Sequence, residues 1–181
     1  MDNSVKIWSL SDGTCLHNLE GHNSLVGLLD LKGDRLVSAA ADSTLRIWDP
    51  ETGGCKATLM AHTGAITCFQ HDARKVISGS DRTLKMWDAK SGEFVRDLLT
   101  DLSGVWQVGF DGRRCVAAVQ RDQLTYIEVL DFGAARDGVP RERRGVRIEV
   151  DRFGDEIPPS PMPSESNDVL MALADIPAGM I

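Results

Sequence analysis

Residues 42–62 read DSTLRIWDPETGGCKATLMAH, and the fold follows from where that pattern recurs. It returns at residues 2–22 as DNSVKIWSLSDGTCLHNLEGH and at residues 81–101 as DRTLKMWDAKSGEFVRDLLTD. Trp8, Trp48 and Trp87 are spaced by 40 and 39 residues, and Asp2, Asp42 and Asp81 each precede a Trp by six. Cys15, Cys55 and Phe94 each follow by seven, and Leu19, Leu59 and Leu98 close the unit. His22 and His62 are also 40 apart. A unit held in register at this period is the signature of a repeat array. Inside each unit the period is two. Thr44, Arg46 and Trp48 point to one face of a strand, while Leu45 and Ile47 point to the other. The turns after the Trp, Asp49 to Gly53 and Asp88 to Gly92, are glycine-bearing hairpin connections. Each unit is therefore expected to be a small antiparallel sheet, and about 40 residues suit four short strands.

Composition narrows the partners. The chain has 181 residues, 42% hydrophobic and 26% charged, with a formal net charge of -7. That length suits one domain, or one domain plus a tail. The acidic balance disfavours nucleic acid, because phosphate binding rests on Lys and Arg. No apolar run is long enough to span a membrane, and the first ten residues lack the pattern of a signal peptide. Cys15, Cys55, Cys68 and Cys115 contain no CxxC pair, and no His/Cys cluster has zinc spacing. Neither a metal nor a cofactor is expected. Reduced thiols and a nuclear or cytoplasmic location are the expectation.

Glu20-Gly21-His22 and Ile47-Trp48-Asp49 resemble the GH and WD landmarks of WD40 repeats. The resemblance implies an all-β propeller of four-stranded blades. It also implies a hydrogen-bonded tetrad in each blade. The matching residues are His22, Ser38, Asp42 and Trp48 in one blade, and His62, Ser78, Asp81 and Trp87 in the next. Three positions depart from the pattern. Trp8 is followed by Ser9 instead of Asp, Ala61 precedes His62 instead of Gly, and one residue is missing between Ser78 and Asp81. Ser, His and Asp together invite a catalytic reading. It is rejected because these residues recur at the repeat period, as structural residues do and a single active site does not. No catalytic residue is expected.

The repeat predicts a partial propeller at residues 1–133, about three blades' worth, and the resemblance described below implies that the whole has eight. The outer half of one blade falls at 2–20, full blades at 22–60 and 62–100, and three further strands at 105–110, 115–119 and 126–132. The strands missing from the first and last blades are expected upstream of Met1. Open edges at both ends are a liability for association, so the chain alone is expected to be poorly soluble or oligomeric. Residues 134–181 change composition. Arg141-Glu142-Arg143-Arg144 and Ile157-Pro158-Pro159-Ser160-Pro161 read as a disordered polar, proline-rich tail, and a short helix is expected at 168–176.

A narrower resemblance rests on the last blades. Gly104-Val105-Trp106-Gln107-Val108, Cys115 to Val119 and Val129-Leu130-Asp131-Phe132 are similar to the cell-division-control group of F-box/WD40 proteins. That group has eight-bladed propellers and serves as substrate receptors of SCF ubiquitin ligases, binding phosphorylated degrons. Phosphorylated proteins are therefore the implied partners. The ligase itself is reached only through an F-box, which this chain lacks. In the group, Arg side chains at two positions per blade hold the phosphate, since a guanidinium donates paired, charge-assisted bonds to it. The first-strand position is Gly27, Thr67 and Trp106 here, and the position before the turn Asp is Ala41, Ser80 and Arg121. Arg121 is thus the candidate phosphate ligand. Trp106 is the candidate wall of an adjoining apolar pocket. The alternative is a WD40 scaffold that holds protein partners without any link to degradation.

Overall fold

The computed structural model describes residues 2–80 and 82–144, and the backbone of 149–150 and 156–157. Four sheets follow one another along residues 5–131. The first pairs β1 (Val5–Trp8) with β2 (Cys15–Leu19). The second orders β3 (Val26–Lys32), β4 (Arg35–Ala40), β5 (Leu45–Trp48) and β6 (Cys55–Leu59) side by side. The third repeats this with β7 (Cys68–His71), β8 (Lys75–Gly79), β9 (Leu84–Asp88) and β10 (Phe94–Leu99). The last has β11 (Gly104–Phe110), β12 (Arg114–Arg121) and β13 (Leu124–Asp131). All neighbours are antiparallel. This is the meander of propeller blades that the repeat predicts, with two, four, four and three strands.

The alternation inside each strand decides how the sheets stack. Trp48 faces back to the first sheet and packs with Val5, Leu19 and Leu36. Leu45 and Ile47, on the opposite face, pack forward with Val37, Leu59, Val76 and Trp87. Leu84, Met86 and Leu98 then pack forward on Val108, Cys115, Ala117 and Val119 of the last sheet. The core is therefore a series of inter-sheet layers, each built from one unit's forward face and the next unit's backward face. Apolar burial of this kind supplies about 25 cal/mol per Å².

The turns after the Trp explain the landmark Asp. Asp49 accepts backbone bonds from Glu51 (2.9 Å) and Thr52 (3.2 Å) through its carboxylate, while its carbonyl accepts from Gly53 (2.9 Å). Gly53 sits at φ +71°, the left-handed region that favours glycine. Asp88 caps Lys90 and Ser91 in the same way. The first turn keeps the backbone bond from Gly13 to the Ser9 carbonyl (3.0 Å), but the Ser9 hydroxyl bonds Ser11 instead of the turn N–H groups. Ser9→Asp is accordingly expected to stabilise the protein by about 0.5–1.5 kcal/mol. A raised denaturation midpoint at unchanged m value is the expected result; an unchanged midpoint would show that the carboxylate does not bind this turn.

The described chain continues past the last strand. Arg113 binds Asp131 at 3.0 Å and also pairs with Asp137, which folds residues 133–139 into hydrogen-bonded turns against the last sheet. Arg141–Arg143 forms one turn of 3-10 helix, and Arg144 donates to the Val139 carbonyl at 2.7 Å. Beyond it, Glu149–Val150 pairs antiparallel with Glu156–Ile157. The anchoring cation, Arg113, lies 24 residues before Asp137 in the chain. Ser160, Pro161 and the expected helix at 168–176 lie outside the described residues.

Candidate functional site

The blade-internal polar network comes first, since it carries the residues that resemble a catalytic triad. Ser38 stands in β4, Trp48 at the end of β5, and His22 and Asp42 in the loops at the same end of that sheet. Trp48 Nε1 donates to Ser38 Oγ at 2.8 Å, and His22 Nε2 lies 2.7 Å from the same oxygen. His22 Nδ1 lies 3.0 Å from Asp42 Oδ2. One direction satisfies every group. The indole donates to Ser38, the Ser38 hydroxyl donates to Nε2, and Nδ1–H donates to the carboxylate. The structure therefore brings His22, Ser38, Asp42 and Trp48 together.

Asp42 is the hub. Burial pushes its pKa up, but the Thr44 hydroxyl, the Asn23 N–H and His22 all donate to it and hold it down to about 2. A carboxylate with this many donors is a loop clasp: it ties the segment before β3 to the turn after β4. Ser38 has no exposed surface, and its oxygen already accepts the indole N–H. An attacking serine needs an approach path, and a side chain with no exposed surface has none. The network braces the blade.

The second network is a variation. Trp87 Nε1 donates to Ser78 Oγ at 2.8 Å, and His62 Nε2 lies 2.8 Å from it. His62 Nδ1 faces the Thr83 hydroxyl at 3.3 Å. Asp81 lies outside the described residues. Burial, followed by the nearby Lys85 ammonium, pushes the His62 pKa down to about 4. In the last sheet the network is gone. By strand register Ala117 takes the place of Ser38 and Ser78, and Leu130 takes that of the Trp.

Trp106 and Arg121 lie at the same end of the last sheet. A bulge between Val105 and Gln107 leaves Trp106 out of the ladder and turns its indole outward, 58% exposed. The indole folds back across Gly104, where a Cβ would meet it at 3.5 Å and Gln120 at 3.7 Å. Gln120 adjoins Arg121, the last residue of β12. The Arg121 guanidinium is not freely presented: Nη2 lies 3.4 Å from Glu128 Oε1, and Nη1 is buried without a hydrogen-bond partner. Glu128 escaped the sequence reading. Its signal was the repeat itself, because the strand position occupied by Lys6, Arg46 and Lys85 changes sign there. The equivalent positions in the other blades hold no cation: Gly27, Thr67, Ala41 and Ser80. Thr67 is engaged with the Val105 carbonyl at 2.5 Å and bridges two sheets. Among the described residues no group of His, Cys, Asp and Glu has the arrangement of a metal site.

The WD domain, G-beta repeat profile matches residues 13–49 and 53–88, spans that end on Trp48-Asp49 and Trp87-Asp88. The Regulator of rDNA transcription protein 13 of Saccharomyces cerevisiae is 36% identical over 155 residues, covering 73% of this chain and 83% of that protein. This chain belongs to the WD40-repeat family. Cell division control protein 4 of Candida albicans is 54% identical over 138 residues, covering 73% of the WD40 chain described above. The chain spans only 20% of that relative's length. Among solved structures, the computationally designed Ika4 protein superposes with a TM-score of 0.65 at 30% identity, covering 72% of this chain and 80% of Ika4. The WD40 repeats thus match both a natural cell-division-control protein and a designed chain with the same architecture.

Proposed function

We propose that this WD40 chain is part of an F-box/WD-repeat substrate receptor that recognises phosphorylated peptides for SCF-mediated ubiquitination. Arg121 is the phosphate ligand and Trp106 the wall of the adjoining apolar pocket. The observation that carries the reading is that the outward Trp106 indole over Gly104 and Arg121 at the end of β12 lie at one end of the last sheet. The similarity to Cell division control protein 4 supports it. An F-box for ligase docking would lie outside these 181 residues.

Glu128 sets the chemistry of the site. A phosphate must compete with its carboxylate for Arg121, so a single doubly charged group is favoured over an ordinary acidic side chain. One such contact contributes a few kcal/mol against association costs of about 4–15 kcal/mol, so binding to this chain alone is weak. An NMR titration suits that range. A phosphothreonine peptide is expected to shift the Trp106 indole resonance, and its unphosphorylated twin is not. Arg121→Ala is expected to weaken the phosphopeptide by about 1–3 kcal/mol. Glu128→Gln, which removes the competing charge, is expected to tighten it. Equal affinity for both peptides would instead favour the scaffold reading, which the lack of cations at Gly27, Thr67, Ala41 and Ser80 also supports.

A further inference from the structure

Two buried imidazoles bound the layer between the second and third sheets, one at each end of β7. His62 lies in the loop that enters β7, its ring centroid 6.0 Å from that of Trp87, and Trp87 packs on Val37, Leu45 and Ile47 of the second sheet. His71 is the last residue of β7 and reaches β3. Its Nε2 lies 3.3 Å from the Asp30 carbonyl, and Lys32 Nζ donates to the His71 carbonyl at 3.1 Å. Both rings are built in neutral. His71 Nε2 faces a carbonyl and so carries the proton, while Nδ1 is buried without a hydrogen-bond partner, where a second N–H finds no acceptor. His62 Nε2 accepts from the Ser78 hydroxyl at 2.8 Å, whose oxygen in turn holds the Trp87 indole N–H; a proton on Nε2 displaces that hydroxyl hydrogen. The charged groups near each ring are already paired with one another. Lys85 binds Asp97 beside His62. Around His71, Asp30 pairs with Lys32 at 3.3 Å and Asp72 with Lys75 at 2.9 Å. Asp30 Oδ2 stands 3.6 Å from Nε2 of His71, the nitrogen already protonated. From the second sheet, Val37, Ala39, Leu45, Ile47 and Leu59 bring no charge to the layer.

We propose that this layer is an acid-opened seam: protonation of His62 and His71 parts the second sheet from the third, while the third and last sheets stay joined. The next layer is crossed without an imidazole. Thr67 donates to the Val105 carbonyl, the Gln70 amide exchanges two bonds with the Phe110 backbone (3.0 and 2.7 Å), and the Lys75 ammonium lies 4.6 Å from the centre of the Phe110 ring. Both layers lie between sheets that the chain itself supplies. The direction follows from the rings. Burial makes both harder to protonate, His62 down to about 4. The open form, with its rings in water, takes up protons that the closed form refuses. Acidification from pH 6.5 to 4.5 therefore raises the open fraction by about 40-fold through His62 alone, and His71 adds to it.

The seam does not rest on phosphopeptide binding. Thiol labelling of the full chain with a dithiodipyridine reagent, which reacts at acidic pH, tests it. Ala39→Cys places a thiol in the seam, at a position 1% exposed. Native Cys115, wholly buried between the third and last sheets, is the internal control. Rates are taken relative to the exposed Cys55 at each pH. The introduced thiol is expected to gain about 40-fold or more between pH 6.5 and 4.5, with Cys115 unchanged. The Ile66 amide, bonded across the seam to the Ala40 carbonyl at 3.3 Å, reads the same opening in the unaltered chain, as hydrogen exchange in excess of its intrinsic pH dependence. His62→Asn combined with His71→Gln, whose amide keeps a donor toward Asp30, is expected to abolish both gains. An equal gain at Cys115 means that the whole array unfolds and overturns the seam. So does the absence of a gain at the introduced thiol and the Ile66 amide, or a gain that persists in the double variant.

Discussion

Trp48→Ala is expected to lower the unfolding free energy by about 3–5 kcal/mol, the largest effect of any single substitution considered. Two losses add. The indole fills the layer between the first and second sheets with Val5, Leu19 and Leu36, and it has almost no exposed surface. Its N–H also supplies the donor to Ser38 Oγ at 2.8 Å, in a pocket where water does not replace it. Trp48→Phe separates these terms. It keeps much of the packing and loses the bond, so a smaller cost of about 1–3 kcal/mol is expected. Trp8 holds the same place in its repeat unit but lies half exposed. Trp8→Ala is therefore expected to change stability by no more than about 0.5 kcal/mol. Urea denaturation followed by circular dichroism reads all three. Equal effects at Trp48 and Trp8 would mean that the sheets do not stack as described.

That contrast marks what the sequence makes legible. The period of about 40 places Trp8, Trp48 and Trp87, and the period of two inside each strand tells which face each takes. What the repeat does not tell is which of those faces finds a neighbour, because that depends on sheets and not on strands. Trp8 and Trp48 are equivalent in pattern and opposite in burial. The network of His22, Ser38, Asp42 and Trp48 was legible through the resemblance to WD40 repeats, whose landmarks these residues match. The Arg121 and Glu128 pair was not, because it arises where the last sheet abandons the pattern: Ala117 has no hydroxyl, Leu130 no N–H, and a carboxylate replaces a cation. Lys75 was missed for a related reason. It reads as a surface charge, yet it is buried, with its ammonium 2.9 Å from Asp72 and 4.6 Å from the centre of the Phe110 ring. A cation between sheets is invisible to a pattern that only follows one sheet at a time.

Between pH 6.5 and pH 4 the protein is expected to lose about 3 kcal/mol of stability through His62 alone. Burial is the main cause. The imidazole sits under Trp87 with Nε2 on Ser78 Oγ, and the Lys85 ammonium opposes a second positive charge. Its folded pKa is therefore pushed from 6.5 down to about 4. The sign follows from proton counting. Above pH 6.5 both states hold a neutral ring, so pH has no effect through this group. As pH falls below that, the unfolded chain takes up a proton that the folded chain refuses, and unfolding becomes easier by about 1.4 kcal/mol per pH unit. The slope ends near pH 4, where the folded ring also protonates. His71 is lowered by burial as well and acts in the same direction, so the His62 share is read as the difference between wild type and His62→Asn. Asp42 does not confuse the measurement. Its carboxylate is held down to about 2, so its contribution is complete above the ordinary value of 3.8 and is lost only as pH falls from there toward 2. Unfolding free energies at half-unit steps give the two windows separately. A wild-type slope between pH 6.5 and 4 that His62→Asn leaves unchanged would show that His62 is solvated or charged in the folded protein, and would remove it from the buried brace.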